Sequence, residues 1–252
     1  GHEQLLVCSQ PEVGLKAFIA IHDTTLGPGA GGTRMWSYEN ETEAMEDALR
    51  LSQAMTYKSA AANLALGGAK GVIWADPATQ KSVPLLRAYA RFVDTLGGRY
   101  ITTTDVGTTT RDLECIALET DHVGGLPTSM GGSGDTSILT GLGVYLGMKA
   151  SAKALWGSDS LEGKVVAMQG FGKVGYHTAH HLMKENAKLV VAEVSSTALQ
   201  QATQMGIQVA STEEIYDRPC DIFSPCALGG TLNGNTIPRL KCAIVAGGAN
   251  NQ

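Results

Sequence analysis

One stretch in the second half constrains this chain more than any other. An apolar run, KVVAMQ at residues 164–169, passes directly into Gly170, Phe171, Gly172, Lys173, Val174 and Gly175. From Tyr176 to about residue 186 the pattern is helical, and a second apolar run, KLVVA, then closes on Glu193. A strand, a GxGxxG turn, a helix and a strand ending in an acid make up the pattern of a dinucleotide-binding βαβ unit. Each part has a task. Gly170 permits the tight turn, Gly172 lets a pyrophosphate approach the backbone, and Gly175 lets the helix lie close on the sheet. The first helical turn presents N–H donors and the positive end of the helix dipole to phosphate. Glu193 offers acceptors to the adenosine ribose hydroxyls and repels a 2′-phosphate, which favours NAD over NADP. Two plainer readings stand beside this one: a glycine turn that binds nothing, and a strand-end acid that is merely solvated.

The rest of the chain fits an α/β fold of two domains. Glycine is 31 of 252 residues, above the usual ~7%, which suits a fold with many close backbone approaches. Residues 15–21 (LKAFIAI) read as a strand whose expected partner is GGTRMW at 31–36. A helix follows, with Asn40 and Glu43 at capping-box spacing and an apolar stripe running to about residue 62. GVIWA at 71–75 reads as a buried strand, residues 84–96 as a helix stopped at Gly97 and Gly98, and 100–104 as a Thr-rich strand ending at Asp105. A short helix is expected at 110–119. The Gly/Ser-rich stretch TSMGGSGD at 128–135 is the expected boundary between residues 1–135, an N-terminal substrate domain, and residues 136–252, a Rossmann domain of helices and strands alternating around a parallel sheet.

A net charge of −5 argues against nucleic acid or an anionic membrane as partner. Five cysteines without a CxxC pair give neither a disulfide framework nor a zinc site. No apolar run approaches ~18 residues, so a soluble cytoplasmic protein is expected. His177, His180 and His181 cluster on one helix without an adjacent carboxylate or cysteine, and no metal site is read there.

Lys70 and Asp105 stand where a core tolerates them poorly, and a second lysine, Lys58, lies 12 residues before Lys70. Lys58 ends the first helix, Lys70 lies between Gly67-Gly68 and an apolar strand, and Asp105 ends the Thr-rich strand. Each also has a plain explanation: snorkelling lysines and a loop or N-cap aspartate.

MTYKSAAANLALGGAKGVI (55–73) closely resembles the amino-acid dehydrogenase family that includes the leucine, phenylalanine, valine and glutamate dehydrogenases. The likeness runs in the same order through IAIHDTTLGP, GGTRMW, RYITTTDVGTT, QGFGKVGY, DIFSPCALGG and AGGANNQ, and covers essentially the whole chain. The resemblance implies a catalytic domain and a Rossmann domain with a cleft between them, and NAD-dependent oxidative deamination of a small-molecule L-amino acid to its 2-oxo acid and ammonia. It implies that Lys58 holds the substrate carboxylate, that Lys70 is catalytic through a water, and that Asp105 handles protons at the amine. It further implies Ala30, Gly31, Gly32, Met55 and Thr103 on the substrate side, and Thr140, Cys226, Ala227 and Asn250 near the nicotinamide. A homo-oligomer is the expected assembly. Family members extend beyond the ANNQ motif, so this chain is expected to lack the end of the Rossmann sheet and part of the side-chain pocket.

The chain departs from the family pattern at Ala69, where GGGK is usual, and at Thr104, often Glu. Ala30 also matters. The glutamate branch has a lysine there to meet a second carboxylate, so glutamate is disfavoured, whereas leucine-specific members carry a larger aliphatic residue. A hydrophobic L-amino acid, aliphatic or aromatic, is the expected substrate, with a slight lean to aromatic ones. A non-catalytic NAD-binding or interaction protein on the same fold is the alternative; its expected mark is loss of Lys70 or Asp105, and both are present.

Overall fold

The computed structural model describes residues 1–250 and divides into two compact units, residues 1–136 and the part from Ser137 onward.

The first unit is built on a five-stranded sheet. Its elements in chain order are β1 (Gln4–Gln10), β2 (Leu15–Asp23), β3 (Gly29–Trp36), α1 (Glu41–Ala61), β4 (Gly67–Trp74), α2 (Val83–Asp94), β5 (Tyr100–Thr104) and α3 (Thr110–Ile116). The strands lie in the order β1-β2-β4-β3-β5. This corrects the expected pairing of residues 15–21 with GGTRMW. β2 instead pairs antiparallel with β1 and with β4, and β3 runs parallel between β4 and β5. A helix connects β3 to β4, and such a crossover returns the chain to a parallel neighbour rather than to a hairpin.

Helices cover both faces. Leu85, Leu86, Tyr89, Ala90 and Val93 of α2 pack with Ile19, Ile21, Met35, Ala69 and Ile73 from the sheet. On the opposite face Ala44 and Ala48 of α1 meet Phe18, Ala20 and Val72. The α1 N-terminus carries half of the expected capping box. Asn40 Oδ1 accepts from the Glu43 N–H at 3.0 Å, but the Glu43 carboxylate turns to the Asn40 side-chain amide and the Glu39 N–H. The complete box lies at α3, where Thr109 and Asp112 cap each other.

The second unit contains α4 (Thr136–Trp156, its first residue in the preceding unit), β6 (Val165–Gln169), α5 (Lys173–Lys184), β7 (Lys188–Ala192), α6 (Ser196–Gln204), β8 (Gln208–Val209), β9 (Ile222–Pro225) and β10 (Ile244–Val245). All pairings are parallel, in the order β10-β9-β6-β7-β8. Counted within the unit this is 3-2-1-4-5, the doubly wound arrangement, with its switch point between β6 and β9. Met148 and Ala152 of α4, Ala179 and Leu182 of α5 and Ala202 of α6 bury one face. The other face differs from the expected helical cover. Among the described residues it is closed by short 3-10 turns and loops, through Ile215, Tyr216, Leu232 and Leu240.

Candidate active site

In the first unit the sheet brings a lysine, an arginine and an aspartate together in a nearly dry setting. The sequence sets Lys70 between a glycine pair and a strand beginning at residue 71; it lies instead in the middle of β4, which begins at Gly67. The sequence GGAKG reads as a loop because it is poor in side chains, and the reason it is poor is packing. A Cβ at Gly68 would fall 2.2 Å from the Thr56 nitrogen of α1, and one at Gly71 would fall 1.9 Å from the Tyr89 hydroxyl. The strand is pressed between layers, and Lys70 is left 3% exposed.

The Lys70 ammonium donates to Asp105 Oδ2 at 2.7 Å. The same oxygen accepts from Arg34 Nε of β3 at 3.0 Å, and Arg34 Nη1 donates to Asp47 Oδ2 of α1 at 2.8 Å. Gly32 makes room for this cluster, since a Cβ there would lie 2.8 Å from the Asp105 Cβ. Gly31 is pinned likewise: a Cβ would strike the Ala69 carbonyl oxygen at 1.8 Å and approach Met55 Cγ at 3.4 Å. Ala30 lies in register with Gly68 and Ile101, and Thr103 with Gly32. Lys58, in the last turn of α1, is exposed, and its ammonium forms no ion pair among the described residues. Ala69 is buried in the core against α2, on the face away from Lys70, so the departure from GGGK does not touch the lysine.

The electrostatics follow from the geometry. Burial lowers the affinity of Lys70 for its proton, the Asp105 charge works against this, and the Arg34 charge adds to it; the balance lies below an ordinary lysine. For Asp105 burial pushes upward, but the Lys70 and Arg34 cations overcome it and hold the carboxyl at about 2.

Two further residues fix Asp105. Thr108 Oγ1 accepts from the Asp105 N–H at 2.9 Å and donates to the Thr33 carbonyl at 2.7 Å, tying the turn to β3. Gly107, at φ +78, lies so close to Met35 that a Cβ would meet its carbonyl oxygen at 1.9 Å. Arg34 and Thr108 lie within GGTRMW and TTDVGTT, but neither stands out there as a functional residue. The available signal was a charge inside an apolar, glycine-rich strand.

In the second unit the glycine loop occupies the carboxyl end of β6. Gly170 has φ +101, and a Cβ on it would lie 2.6 Å from the Ala227 nitrogen; one on Gly175 would lie 2.4 Å from the Gly170 oxygen. Gly172 is different. It starts α5 without a side-chain cap, and nothing lies within 4 Å of its Cβ position, so its face is open. Phe171 is buried, while Lys173 is exposed and Val174 and Tyr176 are half-buried at the start of α5. The Cys226 N–H donates to the Gln169 carbonyl at 2.7 Å, which sets Cys226 and Ala227 beside the loop at the β6–β9 switch point. A Cβ at Gly248 would meet Val174 Cγ1 at 2.9 Å and Thr140 Cγ2 at 4.0 Å, so the AGGAN segment, with Asn250 two residues on, passes the start of α5 and Thr140.

Glu193 follows β7 directly. Its Oε2 accepts from the Phe171 N–H at 2.7 Å and its Oε1 from the Val194 and Ser195 N–H groups at 2.7 and 3.0 Å. A carboxylate has about four acceptor sites, so capacity for a further hydroxyl is left on the loop side. An open Gly172 and a helix N-terminus at the carboxyl end of β6, with the Glu193 carboxylate anchored at the end of neighbouring β7, suit a dinucleotide.

Comparison with known proteins gives a consistent result. Residues 2–122 match the model of the Glu/Leu/Phe/Val dehydrogenase dimerisation domain, and residues 131–209 that of the Glutamate/Leucine/Phenylalanine/Valine dehydrogenases. Leucine dehydrogenase of Geobacillus stearothermophilus is 54% identical over 252 residues, covering 100% of this chain and 69% of the relative. Phenylalanine dehydrogenase of Lysinibacillus sphaericus is 49% identical over 257 residues, covering 100% and 68%. Among solved structures, the L-tryptophan dehydrogenase from Nostoc punctiforme is 47% identical with a TM-score of 0.70, covering 100% of this chain and 72% of that one. This chain therefore belongs to the Glu/Leu/Phe/Val dehydrogenase family.

Proposed function

We propose that this chain is an NAD-dependent dehydrogenase that deaminates a hydrophobic L-amino acid to its 2-oxo acid and ammonia. The observation that carries this reading is the buried Lys70–Asp105 pair, in a chain half identical along its full length to leucine and phenylalanine dehydrogenases. Bound NAD supplies the acceptor for the hydride that leaves the substrate α-carbon. Lys58 holds the α-carboxylate as an exposed ammonium. Asp105 accepts a hydrogen bond, then a proton, from the substrate amine. Its carboxyl at about 2 makes it a poor base while Lys70 is charged, but a neutral Lys70 removes one of the two cations that hold it down. Lys70, deprotonated, takes a proton from water as the oxygen attacks the iminium carbon, returns it to nitrogen and, neutral again, takes the remaining hydroxyl proton as the carbonyl forms, the C–N bond breaks and ammonia leaves.

Ala30 offers no cation to a second carboxylate and leaves more room than leucine would. That supports apolar side chains and a lean towards bulky ones, in keeping with phenylalanine and tryptophan dehydrogenases among the relatives. Glu193 supports NAD over NADP. The dimerisation-domain match supports a homo-oligomer. No helix among the described residues is long and apolar enough to cross a membrane, and a cytoplasmic location is the simplest setting.

The direct experiment mixes the protein with NAD and a panel of L-amino acids and follows NADH absorbance. Turnover of leucine, valine or phenylalanine but not glutamate is expected. Lys70→Ala should abolish turnover with little change in NAD affinity, whereas Lys58→Ala should chiefly raise KM. Wild-type turnover in folded Lys70→Ala overturns the assignment. Ala30→Leu should shift the kcat/KM ratio towards leucine over phenylalanine by about tenfold; no shift removes Ala30 from the pocket.

A further inference from the structure

Arg34 is a permanent cation in a strand otherwise made of glycine, alanine, threonine, methionine and tryptophan, and it is 7% exposed. Its neighbours explain how it is tolerated. Nε donates to Asp105 Oδ2 and Nη1 to Asp47 Oδ2, and the Tyr38 hydroxyl donates to that same Asp47 oxygen at 2.5 Å. They do not explain why it is there, because replacing a buried ion pair by packed apolar groups is often neutral or stabilising.

The placement of the two cations suggests an answer. Lys70 and Arg34 share one oxygen of Asp105, so they stand within two hydrogen-bond lengths of each other. We infer that Arg34 is a positioning residue that keeps Lys70 able to release its proton, by dividing the Asp105 carboxylate with it and standing beside it as a fixed like charge, while Asp47 and Tyr38 hold Arg34 in place. The inference rests on the reading of Lys70 as the base.

Two effects act in the same direction. Without Arg34 the Asp105 charge would belong to Lys70 alone, and a closed lysine–aspartate pair favours the ammonium. Arg34 also repels that ammonium directly, and being always protonated it does so at every working pH. The charged groups facing Lys70 are Asp105 from the turn after β5, Arg34 from β3 and Asp47 from α1. The two carboxylates favour the charged lysine and Arg34 opposes them. Burial sets the baseline, and Arg34 offsets the anions that would otherwise cancel it.

The test follows Lys70 itself. In the full chain carrying lysine labelled with 13C at Cε, the Lys70 resonance, assigned by its loss in Lys70→Arg, is titrated in wild type, Arg34→Gln and Arg34→Lys. Arg34→Gln should raise the Lys70 midpoint by about one pH unit or more. Arg34→Lys, which keeps the charge, should return it to within about half a unit of wild type. The rising limb of kcat/KM against pH should move with the resonance, activity recovering at high pH in Arg34→Gln. An unchanged midpoint in folded Arg34→Gln overturns the inference, as does a uniformly lowered pH profile. Should Arg34→Gln fail to fold, a shift of a full unit in Arg34→Lys overturns it equally. Failure of the catalytic reading looks different: the midpoint moves, yet Lys70→Ala still turns over.

Discussion

Asp105 links the chemistry of the site to the stability of the fold. Its carboxyl is held at about 2, against 3.8 for an ordinary aspartate. A carboxyl lowered in the folded state contributes stability that is fully present above the unfolded value and is lost as pH falls through the folded one. The window is therefore pH 4 down to 2, and the contribution is about 2 kcal/mol. Lys70 follows the same slope but works against the fold while it is charged: because its folded value is lowered, the unfolded chain binds the extra proton, and stability rises with pH between that lowered value and the ordinary lysine range. Urea unfolding at a series of pH values should show wild type losing about 2 kcal/mol more than Asp105→Asn between pH 4 and pH 2. Parallel slopes in the two proteins would mean that Asp105 titrates alike folded and unfolded, and that its two cations are not in place.

The registers of β3, β4 and β5 are fixed from beneath the site. Thr33 Oγ1 lies 2.8 Å from the Tyr89 hydroxyl and 2.6 Å from Thr102 Oγ1, and the Tyr100 hydroxyl donates to Thr102 at 3.1 Å; all four residues are fully buried. Gly71 admits the Tyr89 hydroxyl to this seam, next in the chain to Lys70. Gly71→Ala should therefore destabilise by about 1–3 kcal/mol through overpacking, and Tyr89→Phe, which removes the colliding oxygen, should recover at least about 1 kcal/mol of it in a double-mutant cycle. Additive losses would show that the collision is not what Gly71 avoids. The same strand shows where sequence reading stops. The second-unit pattern was legible because alternating apolar runs and a glycine turn are local signals. In β4 the sequence signals a strand only from residue 71, because Gly67, Gly68 and Ala69 lack the side chains that advertise one, and the reason for the small size of Gly68 and Ala69 lies in packing against α1 and α2. β1 does not stand out in the sequence because Leu5 and Val7 are on its exposed face at the sheet edge, so its apolar residues do not alternate although its burial does. Arg34 stands in the sequence as a lone charge; Asp105 reaches it because β5 lies beside β3, and Asp47 because α1 folds back over the sheet.

At the scale of the molecule, the residues proposed for chemistry belong to the first unit and those proposed for the dinucleotide to the second, each unit with its own sheet and core. Variants should therefore separate the two capacities, since sites without shared partners behave additively. Gly172 allows a sharp test. Its backbone is at φ −69 and its Cβ position is open, so a side chain there meets no steric objection in the fold itself. Gly175 has the same chemistry and the opposite surroundings, with the Gly170 oxygen 2.4 Å from its Cβ position. Gly172→Val should keep the wild-type unfolding midpoint without cofactor, whereas Gly175→Val should lower it. NADH at about one hundred times its dissociation constant should stabilise wild type by about 2.7 kcal/mol. Lys70→Ala should retain that increment while losing turnover, and Gly172→Val should lose it while remaining folded, because a side chain at that position takes the space a pyrophosphate needs. Full NADH stabilisation of Gly172→Val would move the phosphates away from this loop. A loss of NADH stabilisation in Lys70→Ala would show that binding and chemistry are not divided between the two units.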